Sequence, residues 1–131
     1  MSFEGKTVRR MKDSMGNTVC FFLATETMKK NYQLYGEVIN FDTTYRMIKR
    51  LSPYGEKYAV SYFFAQDTDL RFVMTGVCFY VKDQKMLLKS CFEFYFDLVC
   101  EGVMPFVIFT DDIIPLNEAI LEVKKERNYK F

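Results

Sequence analysis

Glu37-Val-Ile-Asn-Phe-Asp42 and Pro105-Phe-Val-Ile-Phe-Thr-Asp111 are two short, almost unbroken apolar runs, each closing on a carboxylate. Strand-length runs without polar alternation fit strands covered on both faces, as in α/β sheets. Between them lie Tyr58-Ala-Val-Ser-Tyr-Phe-Phe-Ala65 and Arg71-Phe-Val-Met-Thr-Gly-Val-Cys-Phe-Tyr-Val81, separated by Asp67-Thr-Asp69. That separation suits an antiparallel hairpin. Asp83 to Glu101 then changes to helical spacing, with Leu87, Cys91, Tyr95 and Leu98 beside Leu88, Phe92, Phe96 and Val99. A helix in that place makes a crossover, so strand 106–110 is expected parallel to strand 37–42, with the hairpin antiparallel on the other side. Asp42 and Asp111 would then share the rim at which open α/β sheets bind ligands.

Thr18-Val-Cys-Phe-Phe-Leu-Ala24 reads as a strand and Glu26 to Leu34 as a short helix, with Met28 and Tyr32 four apart and Gly36 ending it. Residues 1–17 are polar, with Arg9, Arg10 and Lys12, and read as a loose lead or short edge segment. Arg46 to Gly55 contains Ser-Pro-Tyr-Gly and reads as a loop. Gly76 marks a bulge or a close approach of packed chains. Asp112 and Pro115 open an amphipathic helix through Leu116, Ala119, Ile120 and Val123, with cations at its C-terminal end. Lys89, Glu93, Asp97 and Glu101 recur every four positions and give the long helix a single wet stripe.

At 131 residues, half of them hydrophobic, the chain has room for one domain with a core. Its net charge of +1 gives no global field to draw it to nucleic acid or an acidic membrane. It has no His, which excludes Ser-His-Asp and Cys-His nucleophile systems and imidazole-bound zinc. Cys20, Cys78, Cys91 and Cys100 lie in apolar stretches without C-x-x-C spacing, so they read as reduced core residues with no zinc site. No apolar run reaches the ~18 residues of a membrane span or has the look of a signal peptide, and an intracellular protein is expected.

Two carboxylates at one sheet rim, with no His or Cys beside them, form an oxygen-only site suited to Mg²⁺ or Mn²⁺, the metals of in-line phosphodiester chemistry. Asp42 and Asp111 are the candidate ligands, with Asp112 a further one. The same residues also have plain structural uses. Asp before Thr-Thr forms Asx or ST turns, and Asp111-Asp112 before a helix forms a cap.

The stretch Tyr35-Gly-Glu-Val-Ile-Asn-Phe-Asp-Thr-Thr-Tyr-Arg46, followed by Pro105-Phe-Val-Ile-Phe-Thr-Asp-Asp112 and Asn117-Glu-Ala-Ile120, resembles the transposase domain of Mutator-like elements, shared by the plant far-red-impaired-response regulators. The resemblance runs from about Thr18 to Val123. It implies an α/β, ribonuclease-H-like mixed sheet, with residues 18–131 forming part of that domain. It also implies an acidic triad holding two divalent metals for DNA strand cleavage and joining. Asp42 matches the first acid and Asp111 the second. The third, a Glu on a helix beyond a fifth strand, has no counterpart here, and the family's Trp in the long helix is missing too.

The resemblance thus implies DNA as partner, a nuclear location, and a transposase relative inactive as an isolated chain. The alternative is a non-catalytic DNA-associated or transcription-regulating module of the same fold, with Arg46, Lys49 and Arg50 as candidate phosphate contacts. A flavodoxin-like binding domain is disfavoured because no Gly-rich loop follows any strand. Helix 86–100 is apolar around most of its circumference, so self-association or a partner covering it is expected.

Overall fold

The structure is a computed structural model that describes residues 2–3, 5–48, 58–81 and 85–131, leaving aside the side chains of 2, 3, 44–48 and 58. Seven strands, β1 (Ser2–Phe3), β2 (Lys6–Lys12), β3 (Thr18–Thr25), β4 (Val38–Ile48), β5 (Tyr58–Gln66), β6 (Phe72–Tyr80) and β7 (Val107–Phe109), form one mixed sheet. Their order is β1-β2-β3-β6-β5-β4-β7. All neighbours are antiparallel except β4 and β7, which run parallel with Val38 opposite Val107 and Asn40 opposite Phe109. The hairpin, crossover and parallel strand therefore stand as the apolar runs foretold.

Three helices, α1 (Glu26–Tyr35), α2 (Lys85–Tyr95) and α3 (Ile114–Arg127), contribute to a single core cluster. The sheet feeds this cluster from alternate positions: Cys20, Phe22 and Ala24 of β3, Ile39 and Phe41 of β4, Ala59, Phe63 and Ala65 of β5, Cys78 and Tyr80 of β6. Period-two alternation sends these to one face. Rings dominate the core, with Phe63 touching Phe22, Phe41, Phe92 and Tyr95. Thr25 ends β3 and caps α1, its Oγ1 accepting from the Met28 amide at 3.1 Å.

Gly76 is opposite Phe63 where the β5–β6 register shifts, so a bulge is present as expected. A Cβ on Gly76 would lie 3.1 Å from the Tyr95 ring and 3.2 Å from that of Phe22. The β5–β6 turn is organised by Asp67, whose Oδ1 accepts from the Asp69 and Arg71 amides at 2.9 and 3.0 Å. These bonds, the Arg71 amide first, hold its carboxyl below the ordinary range.

Four expectations change. Of the two readings of residues 1–17, the strand holds and the loose lead does not, but β2 lies inside the sheet between β1 and β3 and is no edge. Strand β4 continues to Ile48, so Arg46 begins no loop. The long helix is α-helical only to Tyr95 and continues as a π-helical turn, Phe96–Cys100, in which the Glu101 amide reaches the Phe96 carbonyl. Glu101 and Gly102, both at positive φ, then turn the chain out of the helix.

The fourth concerns coverage of that helix. Leu87, Leu88, Cys91, Phe92, Tyr95, Phe96, Val99 and Cys100 are all buried within the chain. Tyr129 and Phe131 fold back onto Phe96, with centroids 5.3 and 5.5 Å away, and supply cover the sequence reading did not anticipate. The wet stripe is itself engaged, because Lys89 binds Glu122 and Glu126 while Asp97 and Glu93 bind Arg127. Among the large exposed apolar side chains, Leu34, Val38, Val103, Phe106, Val107 and Phe109 form one group around β7, while others, Met86 of α2 among them, lie apart.

Candidate functional site

Asp42 stands in β4 opposite Tyr62, on the face turned away from the core cluster, and is exposed. Its Oδ1 accepts from the Thr43 amide at 2.9 Å. Asp111 and Asp112 are exposed just beyond β7. The last β4–β7 pair is Asn40 and Phe109, and β7 ends there, two residues short of Asp111. Neither Asp111 nor Asp112 caps α3. The cap position is Ile113 with no side-chain bond, and Asp112 instead accepts from the Asn117 amide group at 2.7 Å. Of the proposed phosphate contacts, Lys49, Arg50 and the Arg46 side chain lie outside the described residues.

Metal-capable side chains converge elsewhere. Among the described residues, the one group of three or more ligands is Cys20, Cys78 and Cys91, whose sulfurs all lie within 4.8 Å of one another. The three come from β3, β6 and α2 and are fully buried. This overturns the expectation of Mg²⁺ or Mn²⁺, because thiols are soft donors and those ions take oxygen. It also removes the ground for excluding zinc, for which sulfur is an ordinary ligand.

The cysteines are not all reduced either. Cys78 and Cys91 are joined in a disulfide with Cα atoms 6.2 Å apart, and Cys20 and Cys100 are free. Cys20 Sγ lies 3.6 Å from Cys78 Sγ and 3.7 Å from Cys91 Sγ. Burial pushes the Cys20 thiol up to about 12, against which a backbone bond from Phe21 works in the other direction. Sequence spacing could not show this trio, since the three positions are 58 and 13 residues apart and meet only through β3–β6 pairing and the packing of α2 on the sheet. Disulfides are rare in reducing compartments, so this bond pulls against the nuclear location implied by the resemblance.

A second polar cluster sits around α1 and the π-helical turn. The Tyr32 hydroxyl donates to the Val103 carbonyl, and Thr75 Oγ1 and the Tyr95 hydroxyl are 2.8 Å apart. Burial raises the Tyr32 and Tyr95 hydroxyls and pushes the Cys100 thiol up to about 12. All three are held neutral at ordinary pH, which suits their packing. A cleft of about 430 Å³ beside them is lined by Leu34, Glu37, Val103 and Phe106.

The helix-free face carries a different chemistry. Register aligns Arg10 of β2, Phe21 of β3, Phe79 of β6 and Val60 of β5 in one row across the sheet. The Arg10 guanidinium lies 5.7 Å from the Phe21 ring centre, and Phe21 and Phe79 are 5.8 Å apart. Strand β2, Lys-Thr-Val-Arg-Arg-Met-Lys, has four cations and no acid; Arg9, Arg10 and Lys12 are exposed, with Arg10 on this face and Arg9, opposite Phe22, on the other. No helix among the described residues is long and apolar enough to cross a membrane. Comparison with protein-family models, curated proteins and solved structures gives no match for the chain.

Proposed function

We propose that this chain is a transposase-derived domain of ribonuclease-H-like ancestry that serves as a DNA-associated module and does not cut DNA alone. The reading is carried by the connectivity β4-β5-β6-α2-β7: a hairpin, a crossover helix and then a strand parallel to the first, in the order β6-β5-β4-β7. This is the arrangement that the resemblance around Asp42 and Asp111 implies. The non-catalytic part of the reading rests on the acids that the resemblance matches. The resemblance matches two acids, Asp42 and Asp111, and a metal pair held by two acids alone lacks a way to stabilise both the attacking and leaving oxygens. The association with DNA rests on local charge, chiefly the acid-free β2.

The test is fluorescence anisotropy on duplex DNA across a salt series, together with a nicking assay. Binding at low salt is expected to weaken linearly in log salt. Arg9→Glu and Arg10→Glu should each weaken it uniformly across sequences and flatten the salt slope by about one per lost contact. No binding at low salt would remove the DNA assignment, and strand nicking lost in Asp42→Asn would overturn the non-catalytic one.

A further inference from the structure

We propose that Cys20, Cys78 and Cys91 form an internal thiol–disulfide exchange centre in which Cys91 of α2 bonds alternately to Cys78 of β6 and to Cys20 of β3. The Cys20 sulfur lies within 3.7 Å of both bonded sulfurs and flanks their bond, so in-line attack on Cys91 requires rotation of the cysteine side chains but no separation of β3, β6 and α2. In the step, the Cys20 thiolate attacks Cys91 Sγ. The Cys20–Cys91 bond forms, the Cys78–Cys91 bond breaks, and Cys78 leaves as a thiolate that takes up the proton Cys20 released. One disulfide and one thiol exist before and after, so no external oxidant or reductant is consumed.

The third pairing, Cys20 with Cys78, is disfavoured by the sheet. Cys20 is opposite Tyr80 and Cys78 is opposite Phe22, so the two cysteines are diagonal neighbours. Diagonal positions on paired strands are ~7–8 Å apart, beyond the ~7 Å that a disulfide spans without backbone movement. The helix is therefore clamped in both favoured states, to one strand or to the next. A metal reading of the same three sulfurs fits less well. Three thiolates around one cation leave net negative charge in a fully buried, apolar pocket, whereas exchange keeps the resting centre neutral.

The full chain is quenched in acid, unfolded and labelled with a maleimide, and its peptides are mapped without reduction. Cys100, free throughout, gives the internal standard for complete labelling. In the wild type, both Cys20 and Cys78 are expected to carry label. The approach to that partition should quicken about tenfold per pH unit from about pH 8 to about pH 10, as the thiolate fraction rises. In Cys78→Ala a Cys20–Cys91 bond is expected, and in Cys91→Ala both remaining thiols should be free. Label on Cys20 alone in the wild type at every pH would overturn the proposal, even if the variants fail to fold. So would a Cys20–Cys78 bond in Cys91→Ala. Reduced wild type binding Zn²⁺ or Cu(I) with all three thiols protected from maleimide would likewise overturn it, and would assign a metal site.

Discussion

The ring of Tyr95 lies flat against that of Phe63, with centroids 3.8 Å apart and planes within 6°. Tyr95 is fixed from three sides: by this stack, by the bond to Thr75, and by the perpendicular ring of Tyr32. It cannot give way to a new atom. Gly76→Ala, whose Cβ would press on Tyr95 and Phe22, is expected to destabilise by roughly 1–3 kcal/mol. Tyr95→Phe keeps the stack but leaves the buried Thr75 hydroxyl without its partner, at a cost of about 1–3 kcal/mol. Urea unfolding with an unchanged m-value checks both, and a neutral Gly76→Ala would show that the sheet can shift away from α2.

Thr25 serves two elements, ending β3 and capping α1. Thr25→Ala should lower stability by about 0.5–2 kcal/mol, and Thr25→Ser should restore most of it because the capping oxygen returns. Equal losses in both variants would place the contribution of Thr25 in the sheet and not in the cap.

The ion pairs joining α2 to α3 set the pH window of that contact. Bonds from Lys85 and then Lys89 hold the Glu122 carboxyl below the ordinary range, and bonds to Glu126 and then Glu122 hold Lys89 above its own. A lowered acid stabilises above its unfolded value of about 4.3, and that contribution is lost as pH falls through the folded value. A raised lysine stabilises below about 10.4, and the contribution is lost as pH rises through the folded value. Thermal midpoints are expected to fall on both sides of this window. Glu122→Gln should flatten the acid limb and Lys89→Met the alkaline one, with added salt weakening the wild type throughout. An acid limb unchanged in Glu122→Gln would locate the titration elsewhere.

Phe106 and Phe109 are 73% and 59% exposed beside β7, the last strand of the described sheet. An open edge flanked by apolar side chains invites strand pairing between molecules. Sedimentation of the wild type should show association that grows with concentration and is lost in Phe109→Lys, while Met86→Lys, on α2, should leave it unchanged. The opposite pattern would return the sticky surface to the long helix.

What could be read from sequence followed the physics of each signal. The apolar runs around Ile39 and Ile108 marked the parallel pair, but not for the reason the pattern suggests: β7 is not covered on both faces, since Val107 and Phe109 are exposed and Ile108 only half-buried. Strand β2 was legible only as one of two readings, since Lys6, Arg9, Arg10 and Lys12 fit a solvated lead as well as an edge strand until β3 supplies the hydrogen bonds. The roles of Lys89 and Asp97 were misread for a related reason: a charged stripe faces water or oppositely charged partners with the same periodicity, and only the position of α3 decides between them. The cysteine trio was beyond reach, because it depends on which strands become neighbours.

The π-helical turn explains why α2 looked too apolar to be satisfied. Its buried residues come in pairs at 87/88, 91/92, 95/96 and 99/100, a repeat of four. A helix of 3.6 residues per turn gains about 40° at each such step, so over three steps the stripe would wander by about 120° and leave the core. Widening the last turn holds Phe96, Val99 and Cys100 in phase with Leu87 and Leu88. Chain length is thereby metered at this point. Deleting one residue between 96 and 100 would restore an ordinary helical turn and swing Val99 and Cys100 outward, whereas a like deletion near Gly16, in an exposed turn, would cost far less.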